Sequence, residues 1–344
     1  MFSIAHEARK ALEKTFGSEM AETIAAALVP AIVLKPLAEA GAAVPGATRI
    51  GGTPDLPNGF SWPVRTVPAN AGEIVGRGGP THAPHLRKHL ERELPFEFVA
   101  QVDLAEAARL GPAAASLPGE GRLLFFYDGA VAPWHNGPET CQVIWDRTPV
   151  AGLERKRRPD ALTALGEEYV KQWNQTAQKH GWPPAKPDDV PYWGPARPAR
   201  LEVRLRLPHP HSVEAQENAQ LMAALEDEDT AGAYYEIFSV YWDKKGDDPT
   251  RQQLLGPPLP EQDDPRYEAV AVTEFGAQHL SREARQRNWP IIAKAAVDWQ
   301  LLLQLDLSGY LQQELTEGTA YFLIRSTDLA ARAFDKAVAV YQQT

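Results

Sequence analysis

Cysteine is almost missing from this chain. Cys141 is the only one in 344 residues, so no disulfide can form within the chain. A reducing cytoplasm is the natural setting, although cysteine-poor periplasmic proteins also exist. Long apolar runs are missing too. The longest, Ile24 to Leu34, has eleven residues and holds Pro30, whereas a bilayer span needs roughly 20. No secretory leader is legible, because Glu7, Glu13, Glu19 and Glu22 interrupt the N-terminal segment and no basic stretch precedes an apolar core. Positive charge is in deficit: 35 Lys and Arg against 45 Asp and Glu give a formal net charge of −10. That balance argues against nucleic acid as a partner and leaves a basic protein surface as the charge-compatible one. There is no Gly-x-Gly-x-x-Gly between strand and helix, no phosphate loop and no Gly-x-Ser-x-Gly elbow.

What is present describes a folded globular protein. Hydrophobic residues at 44% with charged residues at 23% exclude a disordered chain. The length suffices for one large domain or two smaller ones. Thirty prolines imply many short elements with stiff connections, and nine tryptophans are available to anchor them.

Residues 3–16 read as a helix with Ser3 as its cap, and a second helix follows Ser18 until Pro30 stops it. Ala31–Lys35 is a short strand. The Pro- and Gly-rich stretch from Gly41 to Pro80 reads as an ordered irregular segment pinned by Trp62. Phe96–Val102, Leu123–Tyr127 and Gln142–Trp145 read as strands, with Asp103 capping a short helix 104–110. A helix runs from Asp160 to Gly181, followed by a second Pro-rich stretch to Pro198. Leu201, Val203, Leu205 and Leu207 alternate with charged residues, the pattern of a half-buried strand. Residues 212–229 read as an acidic helix and 231–242 as an aromatic-rich one. Trp299–Leu305, Ala320–Ile324 and Val338–Tyr341 are strands, with a short helix at 328–334.

Two segments match each other. Phe98-Val-Ala-Gln101-Val-Asp103-Leu104 leads through a connection to Gly121-Arg-Leu-Leu-Phe125. Leu301-Leu-Leu-Gln304-Leu-Asp306-Leu307 leads likewise to Gly318-Thr-Ala-Tyr-Phe322. The spacing predicts a repeated strand–connection–strand unit over 96–128 and 299–325, within one joint architecture. Gln and Asp two apart share a strand face. An apolar strand ending in Asp is also a plain strand-to-helix junction with Asp as cap.

Other chemistry-bearing groups have bland readings. His82, His85 and His89 carry helical spacing, but no Glu follows His85 where a zinc-binding helix needs one, and a Pro-rich loop precedes them; a solvated loop is expected. Cys141 sits in an apolar strand and reads as buried. The basic run 155–158 and the acidic run 226–229 read as solvated faces. The Trp-Pro sites at 62, 182 and 289 read as loop anchors laid onto the sheet.

The blocks Gly51-Gly52-Thr53-Pro54-Asp55-Leu56-Pro57 with Trp62-Pro63, Phe98–Leu104, Gly121–Asp128, Gln253–Gly256 with Gln262–Arg266, Trp299–Asp306, and Tyr321–Arg325 with Asp328-Leu329 come in an order that resembles the YwqG-like family of bacterial proteins. The chain departs from that pattern at Leu315-Thr316-Glu317-Gly318, where the family has Trp-Gly-Asp, and by helical sequence around 153–198 and 275–297. The resemblance implies an α+β fold with duplicated β-rich halves. It also suggests an immunity role, because some members lie beside toxin genes.

The reading is an α+β protein with a β-rich core, two pseudo-repeated strand units, N-terminal helices and helical insertions. Residues 1–29 form a helical segment and 30–344 a single domain. No residue is assigned to catalysis, cofactor or metal. Trp62, Gln101, Asp103, Gln304 and Asp306 are the candidates for a cleft or partner surface. The expected function is binding another protein, a bacterial toxin being the concrete case. The alternatives are an enzyme with a site between the two halves, and a subunit of a larger assembly.

Overall fold

A computed structural model describes residues 2–37, 44–242, 251–276, 278, 280–313 and 317–343. Twelve strands are found among them: β1 (Val29–Pro36), β2 (Arg49–Ile50), β3 (Asp55–Pro57), β4 (Glu97–Asp103), β5 (Arg122–Tyr127), β6 (Cys141–Asp146), β7 (Leu153–Arg155), β8 (Arg197–Arg206), β9 (Gln253–Leu254), β10 (Trp299–Asp306), β11 (Thr319–Arg325) and β12 (Val338–Gln342). The fold is α+β, as the pattern of strands and helices implies.

Ten strands form one antiparallel sheet in the order β12-β11-β10-β9-β1-β8-β2-β4-β5-β6, while β3 and β7 pair separately. The order is symmetric about the β1–β8 pair. Reading outward, each side runs through a two-residue strand, a long strand, its hairpin partner and an edge strand. The central pair is exchanged: β1 lies against β9 of the second half, and β8 against β2 of the first. β1 and β8 pair continuously from Val29 opposite Arg206 to Pro36 opposite Ala199. Neither half therefore completes its sheet alone.

The sheet edges also meet. Gly137 N donates to Ala339 O at 3.0 Å and Ala339 N donates to Gly137 O at 3.3 Å, so the segment entering β6 touches β12 and the sheet is nearly closed. Closure removes exposed edges. One face becomes an inner core shared by both halves, where Phe125 and Phe322 meet edge to face at 5.4 Å. The alternate residues face outward into separate clusters. Phe98, Leu124 and Phe126 form one; Tyr267, Ile292, Leu301, Tyr321 and Leu323 form the other. Each such side chain taken from water contributes about 1.5–3 kcal/mol.

Helices cover the outer face of the second half, and a helix pair holds the same place in the chain order of the first. Ala71–Arg77 and Gly79–Leu90 lie between β3 and β4, and Pro265–Phe275 and Arg282–Ala296 hold the corresponding place before β10. The stretch 275–297 thus has a counterpart within the chain. Asp160–His180 is a long helix ended by Gly181 in the left-handed conformation, φ 69°. The N-terminal helices Ala5–Phe16 and Ser18–Ala26 pack through Leu12 and Ile24 against Leu221 and Tyr234. No helix of the described residues is long and apolar enough to cross a membrane.

Some local expectations are corrected. The His82–His89 stretch is helical rather than a loop, because Leu86 and Leu90 are drawn onto Ile74 and Val75, an apolar contact that overrides Pro84. The acidic stretch 212–229 is not one helix. It breaks into Val213–Gln216 and Ala219–Ala224, with the Asn218 side chain accepting from Leu221 N at 3.0 Å to start the second. Ser3 does not cap the first helix; Ile4 takes that place without a side-chain bond. The junction at Leu315-Thr316 and residues 41–43 lie outside the described residues.

Candidate functional site

The Gln-x-Asp pairs act on the chain itself. In the first half, the Gln101 carboxamide oxygen accepts from Asp55 N at 3.0 Å and its nitrogen donates to Ala47 O at 3.0 Å. In the second, Gln304 accepts from Leu259 N at 2.7 Å and donates to Arg251 O at 2.9 Å. The clamped backbone groups are eight residues apart in both loops (47 to 55, 251 to 259). Each loop turns through two consecutive left-handed residues, Gly51 and Gly52 in one, Leu255 and Gly256 in the other. Asp103 N donates to Thr48 Oγ1 and Asp306 N to Gln252 Oε1, both at 3.1 Å. Each aspartate also caps a helix, Asp103 accepting from Ala105 N and Asp306 from Gly309 N. Buried polar groups need partners, and these residues supply them to the backbone of the two loops and, at Asp55, to the first residue of β3.

The two pairs do not converge on one cleft. Gln101 opposes Leu124 of one outer cluster and Gln304 opposes Tyr321 of the other, with the shared core between. Trp62 is a loop anchor: its Nε1 donates to Phe96 O at 2.7 Å, and its ring meets Phe126 edge-on at 5.7 Å. Two other tryptophans depart from the anchor role. Trp182 is exposed and stacks on His180 at 4.8 Å; Trp289 is exposed and leans on Tyr267 at 4.7 Å.

Charged groups near the first loop are paired. Asp55 is fully buried, with Arg49 Nη1 at 2.6 Å and Arg155 Nε at 2.5 Å. Burial alone would raise its pKa, but the hydrogen bonds from Arg155 and Arg49 hold it well below the usual carboxylate range. The basic run 155–158 is likewise engaged, Arg155 with Asp55 and Arg158 over the Trp193 ring at 3.7 Å. The Cys141 thiol is pushed up to about 12 by burial and donates to Ala337 O at 3.5 Å, the setting of an inert cysteine. His85 and His89 share a helix face with rings 4.2 Å apart, and burial holds His89 near 4, hence neutral at pH 7. Among the described residues no group of three or more His, Cys, Asp or Glu could hold a metal.

Two features escaped the sequence reading. The first is a buried acid pair. Asp128 is ion-paired with Arg65 Nε at 2.6 Å. Glu97, also buried, has its pKa raised well above the usual value by burial and then by the Asp128 charge. Their separation in sequence leaves no spacing to read. The second is an open groove of about 960 Å³ between Arg282–Ala296 and Val213–Gln216. Trp289, Ile291 and Val297 stand in it 38, 57 and 44% exposed, with Tyr267 below and Glu217, Lys294 and Asp298 beside them. A signal existed: Ile291 and Ile292 are adjacent, so both cannot enter one buried helical stripe. Ile292 enters it and Ile291 is left outside.

The family model of DUF1963, a domain of unknown function, matches residues 48–342. The chain belongs to that family. No curated protein matches it.

Proposed function

We propose that this DUF1963 chain is a protein-binding scaffold of the reducing cytoplasm. Its specific task would be to neutralise a cognate bacterial toxin by occlusion. The observation that supports this is the groove beside Arg282–Ala296. Three large apolar side chains stand exposed in one place, on an element whose other side is fixed in an outer cluster. Contiguous apolar exposure on a rigid support is characteristic of interaction sites. The net charge of −10 favours encounter with a basic partner. The YwqG-like resemblance of the ordered blocks supports the toxin form of the reading.

The test is co-expression with the product of the adjacent gene and a pull-down at moderate salt. The expected result is a toxic neighbour, relief of toxicity and a stable complex. A harmless neighbour, or toxicity that persists with no complex, defeats the toxin reading.

A second reading, an enzyme, has one specific support. Glu97 lies beside the Arg65-paired Asp128, a buried carboxyl pair in which burial raises both pKa values and the Asp128 charge raises that of Glu97 further. Turnover of any substrate that is abolished by Glu97→Gln would favour it.

A further inference from the structure

The two halves differ in what lies over their outer helices. β4 and β10 each carry a register irregularity, at Val99 and at Leu302. Counting back twenty residues from each reaches the start of the outer helix, Gly79 in one half and Arg282 in the other. By the same count Lys88 corresponds to Ile291 (eleven residues back) and Leu94 to Val297 (five back).

In the first half Leu94 is covered from within the chain, and Lys88, its side chain 37% exposed, is contacted from within it. Leu94 is buried with Leu165 of the Asp160–His180 helix and with Val190, Tyr192 and Trp193, which follow it. Lys88 is ion-paired with Glu168 of that helix. Within the covering segment the packing is tight, since a Cβ placed on Gly166 would fall 2.1 Å from the Trp193 ring. In the second half the corresponding Ile291 and Val297 are 57 and 44% exposed, and among the described residues no helix crosses them.

We infer that the groove receives an amphipathic helix of a partner protein, lying over Arg282–Ala296 as Asp160–His180 lies over Gly79–Leu90. The inference rests on the protein-binding reading and names the chemistry of the partner. The fifteen-residue groove helix is about 22 Å long, which a docked helix of about four turns spans. Its apolar stripe meets Trp289, Ile291 and Val297, which line the groove together. Among the described residues lining the groove, two carboxylates, Glu217 and Asp298, stand against Lys294 and select lysine or arginine on the flanks of that stripe.

The probe is a synthetic helical peptide with a leucine stripe flanked by lysines, compared with a stripe-scrambled isomer of the same composition. Binding is read on the full chain by hydrogen exchange and by fluorescence anisotropy. The striped peptide is expected to protect residues 282–297 and to bind about tenfold tighter than the isomer. The double variant I291E/V297E should lose about tenfold in affinity, and V150E, at an exposed valine elsewhere, should lose none. An intact thermal transition in each variant separates lost contact from lost fold. Equal binding of the two isomers, protection elsewhere, or full binding by I291E/V297E overturns the inference. So does protection of 282–297 by anionic vesicles without peptide, which would make this a membrane face. A neighbour-product complex that survives I291E/V297E removes the groove and keeps the binding reading. Stripe-specific peptide binding without any such complex keeps the groove and removes the toxin.

Discussion

The two halves of this sheet share a backbone plan and solve its polar problems differently. Both loops are held by a glutamine from the neighbouring strand, Gln101 or Gln304. Beneath that clamp the first half places a buried charge set, Arg49, Asp55 and Arg155. The second places neutral Gln253 at the position of Arg49, donating to Leu255 O and Pro257 O, and Leu259 at the position of Asp55. At the hairpin ends the first half has buried Glu97, where the same count gives Gln300 in the second. Charge is therefore not what the fold requires at these places; a partner for each buried polar atom is.

The largest effect expected from breaking this comparison is at Asp55. Asp55→Ala leaves the Arg49 guanidinium buried and unpaired, at a cost of about 3–5 kcal/mol in urea unfolding. Importing the second half's solution as R49Q/D55L should recover all but about 1–2 kcal/mol of that loss. If the double variant is as unstable as the single one, the halves are not interchangeable.

Next come the clamps. Gln101→Ala and Gln304→Ala each strand one backbone donor and one acceptor, and each should cost about 1–3 kcal/mol. Closely similar losses are expected. A loss confined to one variant would show that only one loop depends on its glutamine.

Glu97 sharpens the comparison through pH. Its folded pKa is raised, so between the unfolded value of about 4.3 and that raised value the folded state holds the extra proton. Stability from this group is then full below about pH 4.3 and declines as pH rises through that window. Glu97→Gln should remove the decline and make the variant relatively more stable at pH 7 than at pH 4. His89 and His209, both held near 4, act oppositely between about 4 and 6.5. The readout is therefore the difference between wild type and variant, in which the histidines cancel. An unchanged difference across that range would show Glu97 to be charged as found.

The smallest effect is expected at Val297, and set against Leu94 it separates the open helix from the covered one. Leu94→Ala should cost about 2–5 kcal/mol, because a buried leucine leaves a cavity. Val297→Ala, its exposed counterpart, should stay within about 0.5 kcal/mol. Thermal denaturation of both checks this, and a large loss at Val297 would mean that the groove is not open in solution.

The amino-acid sequence by itself determined the local elements whose signals are contiguous. Phe98 to Val102 and Leu123 to Tyr127 are short apolar runs rich in aromatic and β-branched residues or bounded by turn residues, and both are strands. Gly181 ends a long helix because a left-handed residue is needed there, and the Asp103 and Asp306 caps follow from their place at strand ends. Equal spacing of Gln and Asp made the two central units visible. The clamped loops were not visible as a pair: Ala47–Asp55 and Arg251–Leu259 share little sequence, since the bonds that match are made by backbone atoms that every residue carries. Only the tertiary structure decided that β1 and β8 change places between the halves, because strand pairing over such separations depends on which sheet edge is open. It also decided that Leu94 is covered and Val297 exposed. Both are apolar residues before a strand, and which of them stays in water depends on whether another helix lies across it.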